Sequence, residues 1–185
     1  MAVLKALRNL ALGALLLVST MGAATPSEYQ VKAVFLFNFS RFIEWPREAF
    51  TSVNAPFVVG IFGHDPFGKE LDEVVKGESV DGHPLVIKRV QNAAEAAECQ
   101  ILFIHQSEDK RLAEAVAAVG GRSTLTVSDV PGATQRGVMI RLVTQEGRIR
   151  MRIDADAARA ARLTISSNLL RSAQVVNAAS DGGSP

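Results

Sequence analysis

The stretch of this chain that comes nearest to known chemistry is Gly60-Ile-Phe-Gly63 ahead of Asp65-Pro-Phe-Gly68. A strand, a glycine turn and a helix start, in that order, present free backbone amides to a phosphate. The spacing matches neither the dinucleotide fingerprint nor the phosphate-binding loop with its lysine, and Pro66 lacks an amide that a phosphate would use. A plain turn leading into a helix is the simpler reading. His64, His83 and His105 fall in separate loops or strand ends without the short spacing of a metal site. Each is expected at the surface, and no metal or other cofactor is expected. There is no Gly-x-Ser-x-Gly elbow, and Ser128-Asp129 at a strand end begins a turn. Ser166-Ser167-Asn168 reads as a helix cap; with Trp45 it is the candidate contact for a small ligand near that helix start. Cys99, the single cysteine, cannot form an internal disulfide and suits a small core residue entering an apolar run. These residue types argue against an enzyme.

The elements that would position such groups follow from periodicity. Residues 27–44 have the length and composition of a helix, which Trp45-Pro46 ends because proline disfavours helix in the residue before it. Residues 57–62 (FVVGIF) form a continuous apolar run, as expected of a strand covered on both faces. Asp65 can then cap a helix whose apolar stripe is Phe67, Leu71, Val74 and Val75. Residues 85–90 predict a second strand, 93–97 a short alanine-rich helix, 101–104 a buried strand and 124–127 another. Between the last two, Leu112, Val116 and Val119 mark one face of a helix that Gly120-Gly121 ends. Further helices are expected at 155–162 and at 168–177, and residues 178–185 read as a disordered tail.

Residues 138–143 and 148–153 flank Thr144-Gln-Glu-Gly147 as an antiparallel hairpin, so the sheet must be mixed. A loop of two or of four residues gives the same parity. Ile140, Leu142, Thr144, Ile149, Met151 and Ile153 then share one face, and Arg141, Val143, Gln145, Arg148, Arg150 and Arg152 the other. Four arginines cannot be buried unpaired, so that face is expected to be wet, at an edge of the sheet. It is either a solvated surface whose arginines pair with nearby carboxylates or a docking face for an acidic partner or an anionic ligand. The expected fold is a single α/β domain over residues 25–177: a central mixed sheet of about six strands, flanked by helices, with a C-terminal antiparallel hairpin.

Apolar residues of the first helix, among them Val31, Val34, Phe35, Leu36, Phe37, Phe39, Phe42 and Ile43, spread around nearly its whole circumference. A helix lying on one sheet needs a stripe of only about 100°. Either the last helix packs over the remainder, or an aromatic patch is left for another protein. The candidate partner-binding residues are therefore Phe37, Phe39, Phe42 and Trp45 here, with Arg148, Arg150 and Arg152 on the hairpin. Ahead of this helix, Lys5 and Arg8 precede an apolar stretch at 10–18 and the small residues Met21-Gly-Ala-Ala24, the pattern of an export signal cleaved after Ala24. The apolar run, about nine residues, is too short for a spanning helix of about 20. Residues 1–24 are thus expected to be removed and the product to be periplasmic. A net charge of +1 builds in no attraction to nucleic acid.

Taken together, residues 32–46 (KAVFLFNFSRFIEWP), 57–72 (FVVGIFGHDPFGKELD), 101–108 (ILFIHQSE), 124–129 (TLTVSD) and 149–176 (IRMRIDADAARAARLTISSNLLRSAQVV) resemble the YfiR family of periplasmic regulators. The resemblance implies a compact, non-catalytic α/β protein that binds the periplasmic domain of a membrane-bound diguanylate cyclase and holds it inactive. Its release raises cyclic di-GMP and favours biofilm. An outer-membrane lipoprotein and a second copy of the chain are further partners to consider. A soluble sensor of a small ligand, bound near Trp45 and Ser166, is the alternative. Well-known members carry disulfides, which this chain with only Cys99 cannot form.

Overall fold

The computed structural model describes residues 26–176, so the expected export signal (1–24) and tail (178–185) lie outside the described residues. Helix α1 (Glu28–Phe42) opens with a capping box: the Ser27 hydroxyl accepts from the Gln30 amide while the Gln30 side chain accepts from the Ser27 amide. It ends where the chain extends into β1 (Ile43–Glu44), just ahead of Trp45-Pro46. The chain continues through β2 (Phe57–Phe62), α2 (Lys69–Val75), β3 (Ser79–Val80), β4 (His83–Val90), α3 (Ala93–Ala96), β5 (Ile101–Ile104), α4 (Leu112–Ala118) and β6 (Leu125–Ser128). The hairpin strands β7 (Ile140–Gln145) and β8 (Arg148–Asp154), α5 (Ala155–Ala160), β9 (Thr164–Ile165), α6 (Ser167–Arg171) and β10 (Gln174–Val176) complete it.

Eight strands form one mixed sheet in the order β10-β8-β7-β6-β5-β2-β4-β3, and β1 pairs with β9 as a separate antiparallel ribbon. The period of two sorts the strand side chains into two cores. Phe57, Val59, Ile61, Ile101, Phe103, Leu125 and Val127 face α1, α2, α5 and α6. On the other side Phe62, Leu102 and Ile104 face α3 and α4, giving a three-layer α/β sandwich. Gly60 faces this second core and leaves room for the Cys99 sulfur across the β2–β5 pair. Cys99 is buried there, and burial pushes its thiol up to about 12, so it stays protonated at neutral pH.

The sheet is larger than the expected six strands because β3 and β10 are too short for an apolar run to announce them. Residues 168–177 are not one helix. α6 stops at Arg171, and β10 then pairs parallel with β8, Val175 beside Ile153, a use of β-branched residues that sheet pairing favours over helix. The hairpin is consequently not the sheet edge, because β10 lies outside it. Its face assignment holds: Ile140 pairs with Ile153, Leu142 with Met151, and Arg141 with Arg152. The loop is the two-residue Glu146-Gly147, both at positive φ (51° and 71°), the backbone that a tight hairpin of this twist demands. Asp65 does cap amides, its Oδ1 accepting from Phe67 N at 2.8 Å and Gly68 N at 3.2 Å. That turn is separate from the helix, because Gly68 at φ 55° breaks the path and α2 begins only at Lys69.

Candidate functional site

Helix α1 resolves its excess of apolar residues by burying one arc and leaving the opposite one in solvent. Ala33, Leu36 and Phe39 are fully buried, so Phe39 belongs to the core and cannot be a docking residue. On the outer arc Val34 is 47% and Phe42 41% exposed. Phe37 is half-buried there, with the Arg41 guanidinium 5.1 Å from its ring centroid. This outer row, at positions 34, 37, 38, 41 and 42, is a partly exposed apolar stripe that α2 borders at Val34 and that carries Arg41, paired with Glu78 at 3.5 Å. Trp45 packs edge-on against Phe57, centroids 4.8 Å apart, and its Nε1 donates to the Gln100 carbonyl at 3.2 Å. Trp45 is therefore mainly a structural anchor at the foot of the stripe.

The hairpin arginines lie elsewhere. The apolar row of β7 and β8 packs in the same core as Leu36 and Phe39, so the arginine row faces the opposite side of the sheet from α1. Arg148 and Arg150 are exposed. Arg152 is buried and Arg141 half-buried, and both are engaged in the folded chain. Arg152 therefore drops out of the candidate surface. One flat partner face cannot cover both the α1 stripe and the hairpin.

The Ser166 region is spent on local structure. The Ser166 hydroxyl accepts from Leu169 N at 3.3 Å, its amide donates to the Phe42 carbonyl at 2.9 Å, and Asn168 Oδ1 bonds Arg171. Ser167 and Asn168 are exposed on a helix of five residues.

A polar cluster that periodicity could not reveal sits at the carboxyl ends of β5 and β6, beside the point where the strand order reverses around β2, the usual ligand edge of such sheets. The Ser107 amide donates to His105 Nδ1 at 3.1 Å, so in the neutral ring the proton is on Nε2, which faces the Tyr29 hydroxyl at 3.1 Å. Tyr29 in turn donates to Asp129 Oδ2 at 3.0 Å; burial and the Asp129 charge push its phenol up, keeping it a donor. Lys32 bridges Asp129 Oδ2 at 2.8 Å and Glu28 at 2.6 Å, and Asp129 Oδ1 accepts from Gln106 N at 2.8 Å. The Lys32 ammonium holds the Glu28 carboxyl below its usual range. Every named donor meets an acceptor, so the cluster is a latch joining the start of α1 to the sheet rather than a reactive centre. His105 is buried, against the expectation of a surface histidine; His83 is half-buried, stacked on Phe50 at 3.7 Å; His64 is exposed. The single sequence signal for the latch is a lysine inside an apolar helix one turn after Glu28.

Among the described residues no trio of His, Cys, Asp or Glu is placed to hold a metal, and no helix is long and apolar enough to cross a membrane. The YfiR/HmsC-like family model matches residues 29–174, from Tyr29 of the latch to the start of β10. The chain belongs to the YfiR/HmsC-like family. No curated protein matches it. Proteins of this family are periplasmic regulators connected with diguanylate cyclases, not catalysts.

In this YfiR/HmsC-like chain the latch should make stability depend on pH. Burial lowers the His105 pKa first of all; the Asp129 and Glu108 carboxylates oppose this, while His64, its ring 5.4 Å away, and Lys32 add to it. A histidine whose folded pKa lies below its unfolded value of about 6.5 takes up a proton more readily when unfolded. Its contribution to stability is complete above about pH 6.5 and is lost as pH falls. The melting temperature is expected to drop between pH 7.5 and 5.5, and His105→Asn, which can keep the bond to the Ser107 amide, should flatten that slope. Equal slopes in both proteins would assign the dependence to other groups.

Proposed function

We propose that this protein inhibits an inner-membrane diguanylate cyclase by binding the enzyme's periplasmic domain, after export and removal of residues 1–24. Family membership supports the class of partner. The observation that carries the docking reading is the outer stripe of α1, where Val34 and Phe42 stay exposed beside Arg41 on a helix whose other side is packed. An apolar pocket on the cyclase fits it. Arg148 and Arg150, on the other side of the sheet, act at longer range by drawing an acidic surface closer.

Binding of the purified cyclase domain tests this. Phe42→Glu should weaken the complex by at least about 30-fold, because a charge in an apolar interface must be desolvated. Its melting temperature should stay near that of the parent. Phe39→Glu serves as the contrast and should fail to fold, its ring being in the core. In the same assay Arg148→Gln with Arg150→Gln should slow association at low salt and leave dissociation alone. Undiminished binding by a folded Phe42→Glu protein would remove the stripe from the interface. A soluble ligand sensor remains the second reading, favoured by the cleft described next.

A further inference from the structure

A cleft of about 640 Å³ opens at the amino ends of β2, β5 and β6, the edge opposite the latch. Its size falls in the usual range of about 300–1,000 Å³ for small-molecule sites. We propose that it binds a small organic anion whose carboxylate or phosphate head lies against Arg122 and Arg162.

The walls are rigid. The Gln100 side chain is held at both ends, its Nε2 donating to the Ala49 carbonyl at 2.7 Å and its Oε1 accepting from Val58 N at 2.8 Å. Thr124 Oγ1 donates to the Cys99 carbonyl at 2.7 Å. Behind them the Trp45 indole fixes the Gln100 carbonyl. What remains unused points to an anion. The Ser123 hydroxyl oxygen is buried, its residue only 7% exposed, with no hydrogen-bond partner among the described residues. A buried group left in that state carries a desolvation cost that a ligand or a bound water would relieve.

The exposed side chains of Arg122 and Arg162, both in the lining, make no hydrogen bond or ion pair within the described residues. Arg162 also sits at φ 63°, a left-handed position after α5 that glycine fills at lower cost, so a guanidinium is held there at a conformational cost. Of the two carboxylates in the lining, Glu98 is already engaged by Lys88 at 2.5 Å, leaving Glu48 on the short turn at Arg47–Ala49. The unpaired charges thus favour an anion. Phe50, Pro56, Val58 and Ala97 offer the body of the ligand an apolar wall. A planar oxyanion is the shape a guanidinium fork recognises best.

Calorimetric titration at low ionic strength, with benzoate and inorganic phosphate as probes of the two head groups, tests the proposal on protein purified from the periplasmic fraction. At least one probe should bind saturably. Arg122→Gln with Arg162→Gln should weaken that binding at least about tenfold, since charged hydrogen bonds are lost, while the melting temperature without anion stays unchanged. Ser123→Ala should weaken it about fivefold. Preference for one probe identifies the head group. No saturable binding of either probe, or affinity unchanged in the double variant, would overturn the proposal. A large fall in melting temperature of the double variant would do so as well, by showing that the arginines serve the fold. The result is independent of the cyclase reading, which the Phe42→Glu experiment decides separately.

Discussion

Lys32→Met is expected to destabilise the folded protein by about 3–5 kcal/mol, the usual cost of removing one partner from a buried ion pair. The Lys32 side chain is only 2% exposed and the Asp129 side chain 4%. Methionine keeps most of the stem, so packing within α1 is retained and the loss is one of charge compensation. Asp129 would keep two donors, the Tyr29 hydroxyl and the Gln106 amide, but no counter-charge. Neutralising that residue as well, in Lys32→Met with Asp129→Asn, should therefore recover part of the loss. Urea denaturation with an unchanged slope checks it. A deficit under about 1 kcal/mol would mean that the pair is effectively solvated despite its burial.

The second large effect is expected at Gly60. A methyl group there would lie 2.5 Å from the Cys99 sulfur, 3.1 Å from Val90 Cγ2 and 3.2 Å from Leu102 Cδ1. The sulfur is buried at the entry to β5, so Gly60→Ala should cost about 1–3 kcal/mol through overpacking. Cys99→Ala removes the closest obstacle. The double variant should be more stable than the sum of the two single losses implies, a coupling of at least about 0.5 kcal/mol that equilibrium denaturation can resolve. Strict additivity would show that the strand, rather than the sulfur, absorbs the strain.

Much of the architecture was legible because burial on both faces leaves a plain mark. Residues 57–62 and 101–104 read as apolar runs and became central parallel strands. The hairpin faces followed from parity alone, because a one-residue slip would put every arginine in the core. Short elements were opaque: β3 is a two-residue arm folded back on β4, Val80 beside His83, too short to read as a strand although Asp81-Gly82 marks its turn, and β10 depends on pairing with β8, which no local pattern encodes. The latch failed to show for the same reason, since Lys32 and Asp129 are 97 positions apart and the helix around Lys32 looks uniformly apolar. Phe39 and Phe42 illustrate the limit within one helix: composition marks both as aromatic, and only the rotation of α1 against the sheet decides which is core and which is surface. The amino-edge cleft has no motif at all, because its lining comes from several separate segments.

The ribbon of β1 with β9 has a consequence for recognition. Helix α1 is fastened at its start by the Lys32 latch and at its end by Ile43 pairing with Ile165 and Glu44 with Thr164. A stripe carried on a helix held at both ends gives up little freedom when a partner arrives, so the entropy of ordering has already been spent in folding. In the proposed complex, affinity at this surface would then reside chiefly in how slowly the two proteins separate. Loosening either fastening would shorten the life of the complex without altering a single atom of the contact.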